Sequence, residues 1–336
     1  MDLLSQVLRR NSVQLLELPN VVGVGKGWKM TRGETTGEYS IVVLVSKKVP
    51  RQELARSEMV PSKLENIATD VLEVGEIRFL SRTAYVRPAP PGVSIGHYKI
   101  SAGTFGAVVR DRQTKELLIL SNNHVLANST DGRDGRARIG DPILQPGPHD
   151  GGKKEHLIGY LHRFVPLSRE FGASSCPHAA AVEKLANRCV QAVRPRYRVM
   201  LQRQSPRGNL VDAALAKPIS PQLITPEILD IGPVKGLREA RVGMMLKKSG
   251  RSSGLNTAEV RVVSTLMRVA LSAHESVIFE DQIVTGPMAS PGDSGSLVLD
   301  EDNYAVGLLF AGSEQATVVN RIQNVLDLLE VDLVYG

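Results

Sequence analysis

The chain has 336 residues, 42% of them apolar, and a formal charge of +6. That length allows two or three hydrophobic cores, and the composition excludes disordered and collagen-like classes. No apolar run reaches the roughly 18 residues of a membrane span, so no membrane partner is expected. The two cysteines, Cys176 and Cys189, are too few for a disulfide scaffold and suit a reducing cytoplasm.

Met1 to Arg10 lacks a basic start, a long apolar centre and a small-residue cleavage site, so it reads as a short amphipathic helix and not as a secretion signal. Val21 to Lys29 is strand-like, Thr31-Arg32-Gly33 suggests a turn, and the β-branched run Tyr39 to Val45 is a second strand. Gly23-Val24-Gly25-Lys26-Gly27 has neither Walker nor GxGxxG spacing, and a bulged strand explains it better than a phosphate loop. Pro50 stands where a helix would start, with Arg51 to Ser57 continuing it. Thr69 to Val74 is a third strand, and residues 1–85 together read as a small α+β domain.

Arg87-Pro88-Ala89-Pro90-Pro91-Gly92 reads as a linker over 86–92, extended and exposed, because proline fixes φ and disfavours helix before it. Beyond it come short apolar runs separated by turn residues, the pattern of barrels. A first barrel is expected over 93–217, a proline-rich connection over 218–236, and a second barrel with a C-terminal helix over 237–336. Gly103 to Val109 and Glu116 to Leu120 flank a turn at Asp111 to Lys115. Within the first barrel, Ala179 to Ala192 is Ala-rich and reads as a helical insertion. Cys176 and Cys189 lie about 19 Å apart if that helix is straight, too far for a disulfide. A zinc site from Cys176, His178 and Cys189 with His156 or His162 fits no familiar spacing. Thiols packed in a reduced core are the simpler reading, and neither metal nor cofactor is expected. Ile322, Val325, Leu326 and Leu329 recur at helical spacing, with Asn320 as the candidate cap.

Three short segments carry chemistry. His124 closes an apolar strand in Ser121-Asn122-Asn123-His124-Val125-Leu126. Asp212 opens an apolar strand in Val211-Asp212-Ala213-Ala214-Leu215-Ala216. Ser294 sits in Gly292-Asp293-Ser294-Gly295-Ser296. A serine hydroxyl is a poor nucleophile until a base takes its proton, and the base needs an orienting carboxylate. The backbone N–H groups of Gly292 and Ser294 are the candidate donors to a developing oxyanion. Asp293 reads as a structural carboxylate that shapes this turn. His97, His149, His156, His162, His178 and His274 lack a comparable strand-end setting, while Asp141, Asp230 and Asp281 compete with Asp212. The basic residues Arg194, Arg196, Arg198, Arg203 and Arg207, and Lys247, Lys248 and Arg251, are framed by no nucleic-acid motif. They read as solvated loops, with an acidic partner as the alternative and nucleic acid not expected.

The order His, Asp, Ser is that of the chymotrypsin fold and differs from those of subtilisins and α/β-hydrolases. Over 93–330 the chain resembles the trypsin-like (chymotrypsin-fold) serine peptidases, in particular an intracellular bacterial-type branch. There, segments like Gly140-Asp141-Pro142-Ile143-Leu144-Gln145-Pro146-Gly147 and Lys248-Ser249-Gly250-Arg251-Ser252-Ser253-Gly254 accompany the triad, and a small domain precedes the peptidase. The resemblance implies a mainly β fold with two six-stranded antiparallel barrels, and a serine endopeptidase acting on a protein or peptide through an acyl-enzyme. It places Met288 at the floor of the primary pocket, with Phe310, Ala311 and Gly312 along the substrate, so small or medium apolar side chains are expected before the scissile bond. No Ile-Val-Gly-Gly-like start is present, so Asp293 needs a partner other than a freshly cut N-terminus. The alternatives are a catalytically silent pseudo-protease or assembly scaffold, and a protease that cuts its own linker near Pro88 to Gly92. Assembly into a homo-oligomer is compatible with the sequence.

Overall fold

The computed structural model describes residues 2–31, 34–75, 81–100, 102–173, 176–204, 208–271 and 275–335. It divides into two compact units, residues 1–80 and 81–336. The expected turn at Arg32-Gly33, His274 and Arg207 lie outside the described residues.

In the first unit, α1 (Leu3–Leu16) starts on an Asp2 side chain that accepts from the Ser5 N–H, which satisfies one of the free donors at the helix start. It packs on a four-stranded sheet of β1 (Val21–Thr31), β2 (Glu34–Val45), β3 (Lys63–Leu64) and β4 (Ile67–Glu73), in the order β1-β2-β4-β3. Val7 and Leu15 of the helix meet Ile41, Val43 and Val45 of β2, which alternate as a half-buried strand requires. The glycines at 23, 25 and 27 lie within β1, with a register shift between Val21 and Gly23, as the bulged-strand reading expects. The helix expected from Arg51 to Ser57 does not form. Two single 3₁₀ turns, Arg51–Glu53 and Arg56–Glu58, are interrupted by the extended Leu54, in a stretch with no apolar stripe to bury along a helix face.

The second unit holds two closed antiparallel rings. The first uses β5 (Ser94–His97), β6 (Gly103–Thr104), β7 (Ala107–Asp111), β8 (Leu117–Ser121), β9 (Pro142–Leu144), β10 (Leu157–Phe164) and β13 (Ala214–Pro218). Pairing runs β5-β6, β7-β8-β13-β10-β9 and back to β5. Since β6 and β7 are halves of one strand broken at Phe105-Gly106, this is a six-stranded barrel. Between β10 and β13 the chain leaves the barrel through β11 (Phe171–Ala173), α3 (Pro177–Val193) and β12 (Gln202–Gln204), with β11 and β12 paired. After the short strand β14 (Gly236–Leu237), the second ring is made from β15 (Met245–Gly250), β16 (Gly254–Ala270), β17 (Ser276–Thr285), β18 (Leu297–Asp300), β19 (Tyr304–Gly312) and β20 (Thr317–Arg321). Its pairing closes in the order β15-β16-β17-β20-β19-β18. This is the two-barrel architecture expected from the resemblance.

Each barrel has its own apolar interior, and a third core lies between them. That core joins Leu118 and Leu120 of the first barrel to Leu297, Leu299 and Leu308 of the second. It is closed by Ile322, Val325, Leu326 and Leu329 on α4 (Ile322–Leu329). After α4 the chain crosses over, and β21 (Val331–Leu333) pairs with β7 of the first barrel.

Three expectations fail here. The segment 86–92 is not an exposed linker: Ala89 is wholly buried and bridges Ile224, Pro91 and Gly92 are buried, and the Gly92 N–H donates to Phe105. Pro91 is buried there, and a proline has no N–H to leave unsatisfied. Cys176 and Cys189 are exposed, not packed in a core, because α3 buries no residue at all. Asn320 does not cap α4, whose first residue follows Arg321 with no side-chain cap.

The barrels also touch through backbone. A Cβ on Gly106 would stand 2.2 Å from the Gly295 carbonyl oxygen and 3.0 Å from that of Leu120. Neither neighbour is a flexible side chain, so Gly106→Ala must shift one barrel against the other. We expect a loss of about 1–3 kcal/mol, measured by denaturant unfolding.

Candidate active site

His124 stands in a single helical turn, α2 (Asn123–Leu126), directly after β8. Asp212 precedes β13, which pairs with β8 through Ala214 and Ser121. This register brings together two residues 88 positions apart. The Asp212 carboxylate accepts from the His124 backbone N–H at 3.1 Å and faces its Nδ1 at 2.5 Å. Asp212 is 3% exposed and His124 28%. Burial opposes a charge on His124 and is the largest single influence, but the charge and hydrogen bond of Asp212 outweigh it, so its pKa lies above the ordinary histidine value.

Asp212 is itself held across the barrel boundary. Its backbone N–H donates to Asn320 Oδ1 at 3.0 Å, Asn320 Nδ2 donates to Gln282 Oε1, and Gln282 Nε2 donates to the Leu210 carbonyl. From the other side, Asn122 Nδ2 donates to the Asp212 carbonyl. The competing carboxylates are engaged elsewhere: Asp141 with buried His97, Asp230 with Arg82, and Asp281 with Arg321 and Asn324.

Ser294 comes from the second barrel. Its loop docks on Thr104 of the first barrel, whose N–H donates to the Ser294 carbonyl at 2.8 Å and whose hydroxyl donates to the Gly292 carbonyl at 3.0 Å. A Cβ on Gly103 would sit 2.4 Å from the Val125 side chain, next to His124, and 3.0 Å from the Ser294 carbonyl oxygen. One glycine thus separates the histidine turn from the serine loop. The Ser294 hydroxyl donates to the Phe310 carbonyl at 3.3 Å, so it must rotate to address His124.

Gly292 has φ +100°, a conformation that favours glycine. In this loop the N–H groups of Asp293, Gly295 and Ser296 all donate to backbone carbonyls. Among the described residues, those of Gly292 and Ser294 find no protein acceptor. The two free donors are the ones singled out from the sequence.

The loop is held by a buried charge pair. Lys248 and Asp293 are both fully buried, and Lys248 Nζ lies 2.8 Å from Asp293 Oδ2. The remaining ammonium donors go to Ser253 Oγ and the Gly254 carbonyl. Asp293 also accepts from the N–H groups of Ser290, Ser252 and Ser253 and from the Ser253 hydroxyl. Burial raises its pKa, but the Lys248 hydrogen bond and these donors reverse that and leave it below the ordinary value. Burial pushes the Lys248 pKa down. Lys248-Ser249-Gly250-Arg251-Ser252-Ser253-Gly254 is therefore the cradle of Asp293. Reading Lys248 and Arg251 as solvated is corrected: Arg251 pairs with Asp150, and only Lys247 of the two consecutive lysines points outward, to the Glu301 carbonyl. Successive strand residues face opposite sides, so one of the pair had to turn inward, and that was the available signal. Asn320 and Thr104 gave no comparable signal, because their roles follow from long-range register.

A cavity of about 710 Å³ opens beside Ser294. Ala289, Ser290, Pro291, Ala311, Gly312 and Glu314 are among its lining. Ala311 and Gly312 are part of that lining. Met288, expected at the pocket floor, is not: it packs in the second-barrel core with Leu246, Val260 and Ile283. Phe310 turns into a cluster with Phe279, ring centroids 4.5 Å apart, and offers the site only its carbonyl. Alternation along β19 sends the aromatic ring to the opposite face from Ala311.

No protein-family model matches the sequence, and no curated protein matches it. Among solved structures, the chain is similar in fold to Thermobifida fusca protease A, with 15% identity over 74% of this chain and 100% of that one, and a TM-score of 0.46. It is similar to Cellulomonas bogoriensis chymotrypsin, with 15% identity over 73% and 98% and a TM-score of 0.45. It is also similar to Nocardiopsis protease, with 14% identity over 73% and 99% and a TM-score of 0.46.

Removing the Lys248 ammonium would strand a buried carboxylate. Lys248→Met should cost about 3–5 kcal/mol of stability. Lys248→Met with Asp293→Asn should regain much of it. Denaturant unfolding of both variants checks this.

Proposed function

We propose that the chain is a serine endopeptidase that cleaves peptide bonds through an acyl-enzyme. The observation that carries this reading is the pairing of His124 Nδ1 with buried Asp212, beside a serine loop with two unclaimed N–H groups. With the Nδ1 proton held by Asp212, Nε2 keeps its lone pair for a proton acceptor's role. Ser294 Oγ attacks the substrate carbonyl carbon while His124 Nε2 takes its proton. The oxyanion lies against the Gly292 and Ser294 N–H groups, worth about 3 kcal/mol each in such sites. Collapse breaks the C–N bond, and His124 returns the proton to the leaving amine. Water then repeats the sequence on the ester and frees Ser294. Lys248 acts through Asp293 as a positioning residue, in place of a cleaved N-terminus.

The pseudo-protease reading has one observation in its favour, the Ser294 hydroxyl turned to Phe310. Cleavage of the chain's own 86–92 segment is disfavoured by the burial of Ala89, Pro91 and Gly92. A fluorophosphonate probe labels only an activated serine and separates the readings. Wild type should be labelled, whereas Ser294→Ala should lose both labelling and peptide hydrolysis while melting as wild type does. Unlabelled, inactive wild type would support the silent scaffold.

Activity needs neutral His124. Because its pKa is raised, kcat/KM should climb with pH to a midpoint above about 6.5. In Asp212→Asn the charge that raises it is gone and burial remains, so the midpoint should move below that value, with a rate loss on the order of 10⁴. A pH–rate series on both proteins checks the direction. An unmoved midpoint would point to another base.

A further inference from the structure

The excursion that carries α3 leaves an apolar stripe of that helix exposed. Val182, Leu185, Cys189 and Val193 recur at i, i+3, i+7 and i+11, one face of the helix. An ordinary surface helix turns such a stripe toward the core. Here no residue of the helix is buried, and the flank carrying Glu183 and Asn187 meets the return segment. Asn187 exchanges two hydrogen bonds with Val199, and Glu183 accepts from the Leu201 N–H. The apolar stripe is left to solvent, with Leu185 63% and Val193 77% exposed, and the return segment adds exposed Tyr197 and Met200.

The charge beside this stripe has one sign. Lys184, Arg188, Arg194, Arg196 and Arg198 are exposed, and none has an ion-pair partner among the described residues. The one acidic side chain of the helix, Glu183, is spent on the Leu201 N–H. A second copy of this chain would set these cations against each other. A protein groove would need the helix free on several sides, and its polar side is already bound. A flat surface that is apolar below and anionic above matches both features.

We propose that this face lies on the interface of an anionic lipid bilayer, with Leu185 and Val193 among the acyl chains and the arginines at the headgroups. This departs from the expectation of no membrane partner. It concerns peripheral contact, and no described helix is long and apolar enough to cross a membrane. The inference does not depend on the peptidase reading.

The test is co-sedimentation of the full chain with vesicles of phosphatidylcholine alone or mixed with phosphatidylglycerol. Wild type should pellet with the anionic vesicles, stay in solution with the neutral ones, and detach as salt is raised. Each cation near such a surface is worth about a fivefold change in binding, so Arg194, Arg196 and Arg198 changed together to Gln should lose about a hundredfold. Leu185→Glu with Val193→Glu should abolish binding without lowering the melting temperature, since both side chains are exposed. Equal pelleting with both vesicle types, or binding that survives the Leu185 and Val193 changes, overturns the proposal. So does sedimentation of a dimer that those changes dissolve, because the face would then be a protein contact.

Discussion

A lysine ammonium and an aspartate carboxylate, 2.8 Å apart with no exposure to water, fix the Ser294 loop of this molecule. Two isolated charges at that depth would cost far more than their attraction returns. The pair is tolerable because every donor and acceptor around it is used: Lys248 has three acceptors, and Asp293 takes backbone donors from two separate loops. The consequence is directional. With Asp293 tied inward, the N–H groups on either side of it stay free and the Gly292 backbone is driven to positive φ. A Cβ on Gly250 would fall 2.4 Å from the carboxylate, so the hairpin between β15 and β16 must come this close for the cage to close.

The rest of the site depends on agreement between barrels. His124 and Asp212 belong to one and Ser294 to the other, and the links between them are polar and short. Thr104 binds the serine loop, and Asn320 binds the aspartate backbone. Gln282 extends the second link to Leu210, just ahead of Asp212. Buried side-chain networks of this kind specify one arrangement when fully satisfied and destabilise when they are not.

How much of this was legible in the sequence depends on how local each requirement is. His124, Asp212 and Ser294 stand out because each sits at a strand end or in a glycine-framed turn, a feature local to its own segment. The runs Gly103 to Val109 and Glu116 to Leu120 could be read as strands from their apolar residues. Lys248 was misread, since a lysine in a basic cluster looks solvated until its counter-charge, 45 residues away, is placed beside it. Asn320 was misread as a cap, because its partner Asp212 lies 108 residues upstream. The resemblance puts Met288 at the pocket floor by its position in the chain, and position alone cannot tell which way a side chain turns. The proline segment has the composition of a linker, and composition is silent on what lies beneath it. Helix α3 was found, but its sequence does not say which face meets the protein.

The crossing of β21 to β7 has a consequence for synthesis. Arg112 on the first barrel bonds to Asp332, a separation of 220 residues. The edge of β7 and the core under α4 thus stay open until residues 322–333 have left the ribosome. Contacts so distant in sequence form late. A partly made chain can collapse its individual barrels yet lack the helix that sets one against the other. The setting of one barrel against the other therefore waits on that segment, and the order of translation itself delays the meeting of His124 with the serine loop.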